Sequence, residues 1–172
     1  MVDIEIESLE DARERAEQYI KEWYTMMEKI NSEADDESIY KEKDFFKAIW
    51  HASTKILPAL EVQVVIDGKD NCYVTTGSSG YVEFGMQPPV GMSLPIKCWI
   101  HTHPFGAAYF SGVDWGTVNI WKSLMQEAYV LGGVEHYGYW NNSQPNLLMI
   151  RYLDENGLET FRGQVQPERE EE

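Results

Sequence analysis

Two histidines, a serine and an aspartate occur at a spacing that can build a metal site within one short segment. His101 and His103 are followed by Ser111 and Asp114 in the pattern His-x-His-x7-Ser-x-x-Asp. Residues two apart on a strand point to the same face of a sheet, so both imidazoles can reach one ion. Asp114 can supply a third, anionic ligand. Three protein ligands plus a water are typical of a catalytic zinc, whereas a structural zinc usually has four protein ligands.

Each half of this pattern also has an ordinary structural explanation. A His-x-His pair often lies on a strand without any metal. Ser-x-x-Asp is common at the start of a helix, where the serine accepts a backbone hydrogen bond and the aspartate favours the positive end of the helix. Both roles are compatible for Asp114, because a capped helix would hold the ligand in place. The conjunction at this spacing, with Pro104 suited to end the strand, predicts a zinc site.

The segment resembles the motif of the JAMM (MPN-plus) metalloproteases, a family known for isopeptidases that remove ubiquitin and ubiquitin-like proteins. The resemblance covers about residues 46–150. It implies that one catalytic zinc ion is bound by His101, His103 and Asp114. It also implies that Ser111 hydrogen-bonds the transition state.

The family also uses an upstream glutamate as general base, and Glu61 is the candidate for this role. It begins the segment Glu-Val-Gln-Val-Val-Ile-Asp-Gly, in which Val64 stands where many members have glycine and Gly68 keeps the second glycine. Glu83 is a rival, but it lies only eighteen residues before His101 and is better explained as a solvent-facing carboxylate. An apolar setting would raise the pKa of Glu61 and suit a base that works near neutrality.

The resemblance implies hydrolysis of the amide bond after the C-terminal tail of ubiquitin or a ubiquitin-like protein. Glu61 would take a proton from the attacking water, and the Ser111 hydroxyl would donate to the oxyanion. Two other interpretations stay open. One is a JAMM peptidase of another role, such as sulfur-carrier processing or cleavage of phage cell-wall peptides. The other is a non-catalytic MPN scaffold, against which the complete ligand set argues.

The hydrophobic period predicts an α/β fold around the motif. The resemblance implies an MPN-like (cytidine-deaminase-like) mixed sheet sandwiched by helices, with an extra N-terminal helix. The expected domains are an acidic helical extension (1–43), the catalytic domain (44–163) and a disordered acidic tail (164–172). The predicted helices span residues 7–30, capped by Ser8, 44–56, ended by Pro58, and 114 to about 126. The predicted strands span residues 61–66, 72–76, 81–84, 96–101, 128–131, 136–140, 147–153 and 158–161.

Charge is distributed unevenly along the chain, whose formal net charge is −15. Residues 1–45 carry 15 acidic and 6 basic side chains, whereas residues 46–150 carry 7 and 5. So acidic a chain disfavours nucleic acid as a partner and favours a basic face on a ubiquitin-like substrate. The N-terminal helix is a candidate docking element for a protein partner. Without a long apolar run or a basic N-terminus, the sequence predicts a cytoplasmic protein with no membrane segment.

Four further residues that could do chemistry have simpler explanations. Cys72 and Cys98 are expected to be small core residues, because cytoplasmic conditions oppose a disulfide between neighbouring strands. His51 is expected to pack in a helix or face solvent, and His136 to be structural.

The chain is rich in aromatic residues, most of which are expected in the core. Tyr109 and Phe110 lie between the histidines and Ser111 and are predicted to touch substrate. Trp115 is predicted to support Asp114.

Overall fold

The computed structural model of the chain describes residues 8–33, 43–76, 91–133, 136–153 and 159–165. These residues form a mixed α/β structure, which confirms the predicted class. The helices are α1 (Leu9–Glu33), α2 (Lys43–His51), a π-helical turn (Ala52–Ile56) and α3 (Gly112–Trp121). The strands are β1 (Val62–Ile66), β2 (Cys72–Thr76), β3 (Ile96–Thr102), β4 (Met125–Leu131), β5 (His136–Asn141), β6 (Leu147–Leu153) and β7 (Glu159–Val165).

The described strands form one mixed sheet in the order β2-β1-β3-β4-β5-β6-β7. β3 and β4 run parallel, and the other neighbouring pairs run antiparallel. A parallel pair needs a crossover connection, and α3 lies in the connection between β3 and β4. The predicted histidine strand is therefore central in the sheet, and its C-terminal end leads towards α3.

Helices cover both faces of the sheet. On one face, α1 and α2 pack into a core with β1, β3 and β4, and α1 contributes Ala16 and Ile20 with no exposed surface. The other face packs against α3 through Trp115, Val118 and Trp121. Since α1 buries its apolar stripe in this core, we expect its removal to expose apolar surface of the sheet.

Most predicted elements are present with small shifts of their ends. Ser8 caps α1, since its Oγ accepts from the backbone amide of Asp11 at 3.1 Å. Glu61 lies immediately before β1, and β7 extends beyond the four residues predicted there. The predicted strand 81–84, with Glu83, lies outside the described residues. The disordered tail was predicted from residue 164, but residues 164 and 165 form the end of β7, so the predicted start of the tail is wrong. Residues 166–172 lie outside the described residues. Among those described, no helix has the length and apolar character needed to cross a membrane.

The predicted boundary between α3 and β4 is wrong. The helix ends at Trp121, five residues earlier than expected, and β4 begins at Met125. The cause is non-local: the carbonyl of Leu124 accepts from the amide of Ile96 at 2.6 Å, and Met125 pairs with Ile96 in the parallel ladder. Met125 is buried there. Pairing with β3 thus takes residues that could have continued a helix.

Neither the cysteines nor the remaining histidines join the motif. Cys72 and Cys98 both pair with Ile66, but from opposite sides of β1. Two strand spacings separate their backbones by roughly 9–10 Å, beyond the reach of a disulfide. Burial raises the pKa of the Cys72 thiol to about 12. His51 is exposed and lies against Tyr19, with ring centroids 5.4 Å apart, and His136 begins β5.

Asp67 organises the turn between β1 and β2 and connects it to the segment before β3. Its Oδ1 accepts from the amides of Lys69 and Asn71, both at 2.9 Å. Its Oδ2 accepts from the Asn71 side chain and the amide of Ser93, both at 3.0 Å. Burial alone would raise the pKa of Asp67, but these hydrogen bonds outweigh burial and lower it from its usual value.

Replacing Asp67 by asparagine should lower the free energy of unfolding by about 1–3 kcal/mol near neutral pH, because one of its two acceptor oxygens becomes an NH2 donor and part-buried hydrogen bonds are lost. The pKa of Asp67 is lower in the folded chain than in the unfolded chain. Its contribution to stability is therefore fully present above the unfolded pKa of about 3.9 and is lost as the pH falls below that value towards the folded pKa. The stability difference from wild type should therefore shrink in acid. Urea titrations between pH 3 and 7 measure this. Asp70→Asn, on an exposed side chain in the same turn, is the control, and equal stabilities of Asp67→Asn and wild type would contradict the prediction.

Candidate metal centre

The end of β3 presents both motif histidines on one face of the sheet. His101 lies within β3 and His103 follows its last residue, with ring centroids 5.0 Å apart. His101 is 3% exposed and stacks on Trp99, two residues earlier on the same face, at 4.3 Å between ring centroids. The indole of Trp99 donates to Gln63 Oε1 on β1 at 3.0 Å. Stacking on Trp99, which is itself held by Gln63, thereby fixes the orientation of the His101 ring.

The start of α3 presents the aspartate through a capping box. Ser111 is the N-cap, and its Oγ accepts from the amide of Asp114 at 3.1 Å. In return, Asp114 Oδ2 accepts from the amide of Ser111 at 2.9 Å. The helix-capping interpretation of Ser-x-x-Asp is thus correct, and it does not compete with metal binding. The cap orients the same carboxylate that faces the histidines.

Three potential ligand atoms converge at this point. Nε2 of His101 lies 3.1 Å from Asp114 Oδ2, and Nε2 of His103 lies 3.0 Å from the same oxygen. One ligand atom from each residue lies within 4.8 Å of the others. The three residues therefore form a largely buried group that could hold a metal ion.

The chemistry of these donors fits a divalent cation. Both ring nitrogens of His101 are buried; Nδ1 has no hydrogen-bond partner among the described residues, and Nε2 lies 3.1 Å from Asp114 Oδ2 without the alignment of a hydrogen bond. A metal bond would satisfy Nε2. Nδ1 of His103 lies 3.1 Å from the carbonyl of Ala107. Donation from Nδ1 to Ala107 would leave Nε2 as the free lone pair, an arrangement common among metal-binding histidines.

The electrostatics of the group keep the aspartate ionised. Burial alone would raise the pKa of Asp114, but His101, His103 and the Ser111 amide hold it far below its usual range. Burial alone would lower the pKa of His103, but the hydrogen bond and charge of Asp114 raise it. The group is thus anionic whenever both imidazoles are neutral, which suits a divalent cation.

Glu61 lies next to this group. In the antiparallel β1–β3 ladder Gln63 pairs with His101, so two residues further along Glu61 comes opposite His103. Its charge contributes to the raised pKa of His103. Glu61 is partly exposed, and alternation along the strand places it on the same face as Gln63. The structure therefore brings Glu61, His101, His103, Ser111 and Asp114 together.

The aromatic residues around the site differ in their exposure to solvent. Phe110 is 3% exposed and packs against His101 and Trp115, so the prediction that it touches substrate is wrong. Its apolar neighbours bury it beneath the site. Trp115 is also buried, in agreement with a supporting role, and Tyr109 is partly exposed. Phe105, in the loop that follows His103, is exposed, with 78% of its surface accessible.

Several residues that hold the histidines in place were not identified from the sequence. Trp99 could have been predicted, because it lies two residues before His101 on the same strand face. Gln63 had a weaker signal, as the polar residue in the run Val-Gln-Val-Val-Ile. Nothing in the sequence indicates that the Ala107 carbonyl contacts His103 or that Gly132 approaches the Ala107 peptide closely. Both contacts depend on how the loop folds back onto β4.

Gly132→Ala should weaken metal binding without changing any ligand. A Cβ at Gly132 would lie 2.4 Å from the amide nitrogen of Ala108 and 2.6 Å from the carbonyl carbon of Ala107. The loop must therefore shift, and with it the carbonyl that holds His103. We expect metal affinity to fall about 10- to 100-fold, as for other outer-shell changes, and stability to fall by about 1–3 kcal/mol.

Zinc titration against a competing chelator measures the affinity of this variant. Gly116→Ala is the matched control, because a Cβ there meets nothing within 4 Å. It should leave affinity unchanged and raise helix stability by up to about 1 kcal/mol. Equal affinities of the Gly132 and Gly116 variants would refute the support assigned to the loop.

The site thus combines two imidazoles and a carboxylate, held by a strand and a helix start, with a second carboxylate and a hydroxyl beside them. Such a set can bind a divalent cation and can move a proton next to it. No family model, curated protein or solved structure matched this chain.

Proposed function

We propose that this chain is a zinc-dependent isopeptidase or peptidase of the JAMM type, acting on ubiquitin or a ubiquitin-like protein. The observation that carries the proposal is the convergence of His101, His103 and Asp114 beside Glu61. The mixed sheet, with a parallel β3–β4 pair connected through α3 and helices on both faces, is compatible with an MPN-like domain. We propose that fold relationship together with the function.

His101, His103 and Asp114 would hold the zinc ion. When bound, zinc supplies a Lewis acid and lowers the pKa of a coordinated water to about 7. Glu61, immediately before β1 and opposite His103, would accept the proton from the attacking water. It then returns this proton to the nitrogen of the leaving amine, so that no net proton is gained by the protein. A base placed in this way contributes about 10²–10⁴-fold to the rate.

Ser111 has a donor to spare for the oxyanion. Its Oγ uses a lone pair to accept from the Asp114 amide, so the hydroxyl hydrogen is left for another acceptor. The residue is exposed at the start of α3. A donor to the developing oxyanion is worth about 10²–10³ in rate. The helix cap fixes the position of this hydroxyl.

The substrate would be an extended C-terminal tail followed by an amide bond. Such a tail exposes its backbone and can lie in a groove beside a strand. The acidic chain suits a ubiquitin-like protein with a basic face and does not suit nucleic acid. We further propose a cytoplasmic location and a protein partner that docks on α1.

A JAMM peptidase of another role is the second candidate, because the same ligands and base would serve any exposed amide bond. Sulfur-carrier processing and cleavage of phage cell-wall peptides belong to this class. A non-catalytic scaffold is disfavoured, because it has no need of three converging ligands with a carboxylate beside them.

The test combines metal analysis with cleavage assays on the full chain. We expect about one zinc per chain, and cleavage of an isopeptide-linked ubiquitin dimer or a ubiquitin-like conjugate that a chelator abolishes and zinc restores. Cleavage of a sulfur-carrier fusion or of cell-wall peptides alone would favour the second candidate. Failure to bind zinc at neutral pH would refute both.

A further inference from the structure

A chain of buried and partly buried hydrogen bonds connects the two peptide groups on either side of Glu61. The amide of Val62 donates to Thr102 Oγ1 at 2.9 Å. Thr102 Oγ1 lies 2.8 Å from Ser53 Oγ, which in turn donates to the carbonyl of Leu60. Because Leu60 takes the Ser53 hydrogen, Thr102 donates to Ser53. The chain therefore begins at the peptide group after Glu61 and ends at the one before it.

The two hydroxyl residues lie behind the sheet, away from the metal ligands. Thr102 stands between His101 and His103, so alternation along β3 directs its side chain to the opposite face. Ser53 belongs to the helical layer that covers that face. Ser53 and Thr102 are both 0% exposed. Neither can touch a substrate, so any effect on the reaction must pass through the backbone, either at Glu61 or at His101 and His103, and a shift of the two histidines would show in the zinc content.

The backbone that leads to Glu61 is unusual. Ser53 lies in the π-helical turn Ala52–Ile56, and Ala59 has a φ of 57°, in the left-handed region. π-helical turns are rare in proteins, and those that occur often lie at functional sites. A non-glycine residue keeps a left-handed conformation only when its surroundings enforce it. The hydrogen bonds to Leu60 and Val62 hold the segment that follows Ala59.

We propose that Ser53 and Thr102 are positioning residues that aim the carboxylate of Glu61 at the metal site. The proposal rests on the proposed function, in which Glu61 is the general base. Removing the Thr102 hydroxyl leaves the buried amide of Val62 without its acceptor, so the backbone must move to satisfy it. A displacement of about 1 Å at a reacting group can cost about 10²-fold in rate.

The test compares Thr102→Val with Thr102→Ser in the zinc-loaded full chain, using an isopeptide-linked ubiquitin dimer. Thr102→Val should lower kcat about 10- to 100-fold, with zinc content and KM little changed. Thr102→Ser keeps the hydroxyl and should restore most of the rate. Thr54→Val is the matched control, because Thr54 Oγ1 donates within its own helix to Trp50 at 2.8 Å. Ser53→Ala replaces Thr102→Val if that variant does not fold.

Two further measurements separate positioning from general destabilisation. In a Glu61→Gln background, Thr102→Val should add almost no further loss, because both changes act through one carboxylate. Crystal structures should show the Glu61 carboxylate displaced in Thr102→Val and unmoved in Thr102→Ser. An unmoved Glu61, or an equal loss in the Glu61→Gln background, would overturn the proposal. An inactive wild type would count against the proposed function, while the crystal structures would still decide the positioning role.

Discussion

Glu61→Gln should lower the rate of amide hydrolysis by about 10²–10⁴-fold and leave the zinc content unchanged. Glutamine has nearly the shape of glutamate but cannot accept the proton of the attacking water. Glu61 is not one of the three converging ligands, so the ion should stay bound. Zinc analysis and single-turnover cleavage on the same preparation measure both quantities.

Glu22→Gln provides the control for this substitution. Glu22 lies on α1, where it accepts from Gln18 at an exposed position, and its replacement should leave cleavage unaltered. Full activity of Glu61→Gln would move the role of base to another carboxylate. Loss of zinc from Glu61→Gln would instead indicate that Glu61 contributes to metal binding.

Asp114→Asn should abolish zinc binding at micromolar zinc and, with it, all cleavage. The substitution removes the anionic ligand and the charge that holds both imidazoles in place. Changes in residues that merely support ligands cost about 10- to 100-fold in affinity, so loss of a ligand should cost more. Asparagine keeps an oxygen that can accept from the Ser111 amide, so the start of α3 should remain formed.

Circular dichroism and zinc titration together check this prediction. Asp44→Asn is the matched control, because Asp44 is an exposed aspartate in the first turn of α2. Its replacement should leave zinc affinity unchanged. A folded Asp114→Asn protein with wild-type affinity would remove the basis of the proposed site.

The convergence of His101, His103 and Asp114 could be predicted because its geometry is local. His101 and His103 share one strand face, and Ser111 with Asp114 forms one turn at the start of a helix. Neither relation depends on distant parts of the chain. What spacing could not supply was the angle between strand and helix, which the core around Phe110 and Trp115 sets.

Other features depended on long-range pairing and were therefore missed. Residues 125–127 are compatible with the end of a helix, and only their ladder with β3 makes them the start of β4, whose residues 128–131 were predicted as a strand. The π-helical turn at Ala52–Ile56 looks like a continuation of α2, because one extra residue in a turn leaves the hydrophobic period almost intact. The bond between Ser53 and Thr102 joins residues 49 positions apart.

If the proposed site binds zinc, the atom shared at the start of α3 would make the melting temperature depend on the zinc supply. Asp114 Oδ2 caps the helix and faces both histidines, so occupancy of the site and formation of this helix end are thermodynamically linked. Zinc at a thousand times its Kd would add about 4 kcal/mol to the free energy of unfolding. For a chain of this size that corresponds to roughly 8–16 °C in Tm. A cell short of zinc would hold a protein that melts earlier and is degraded sooner, so its abundance would follow the metal.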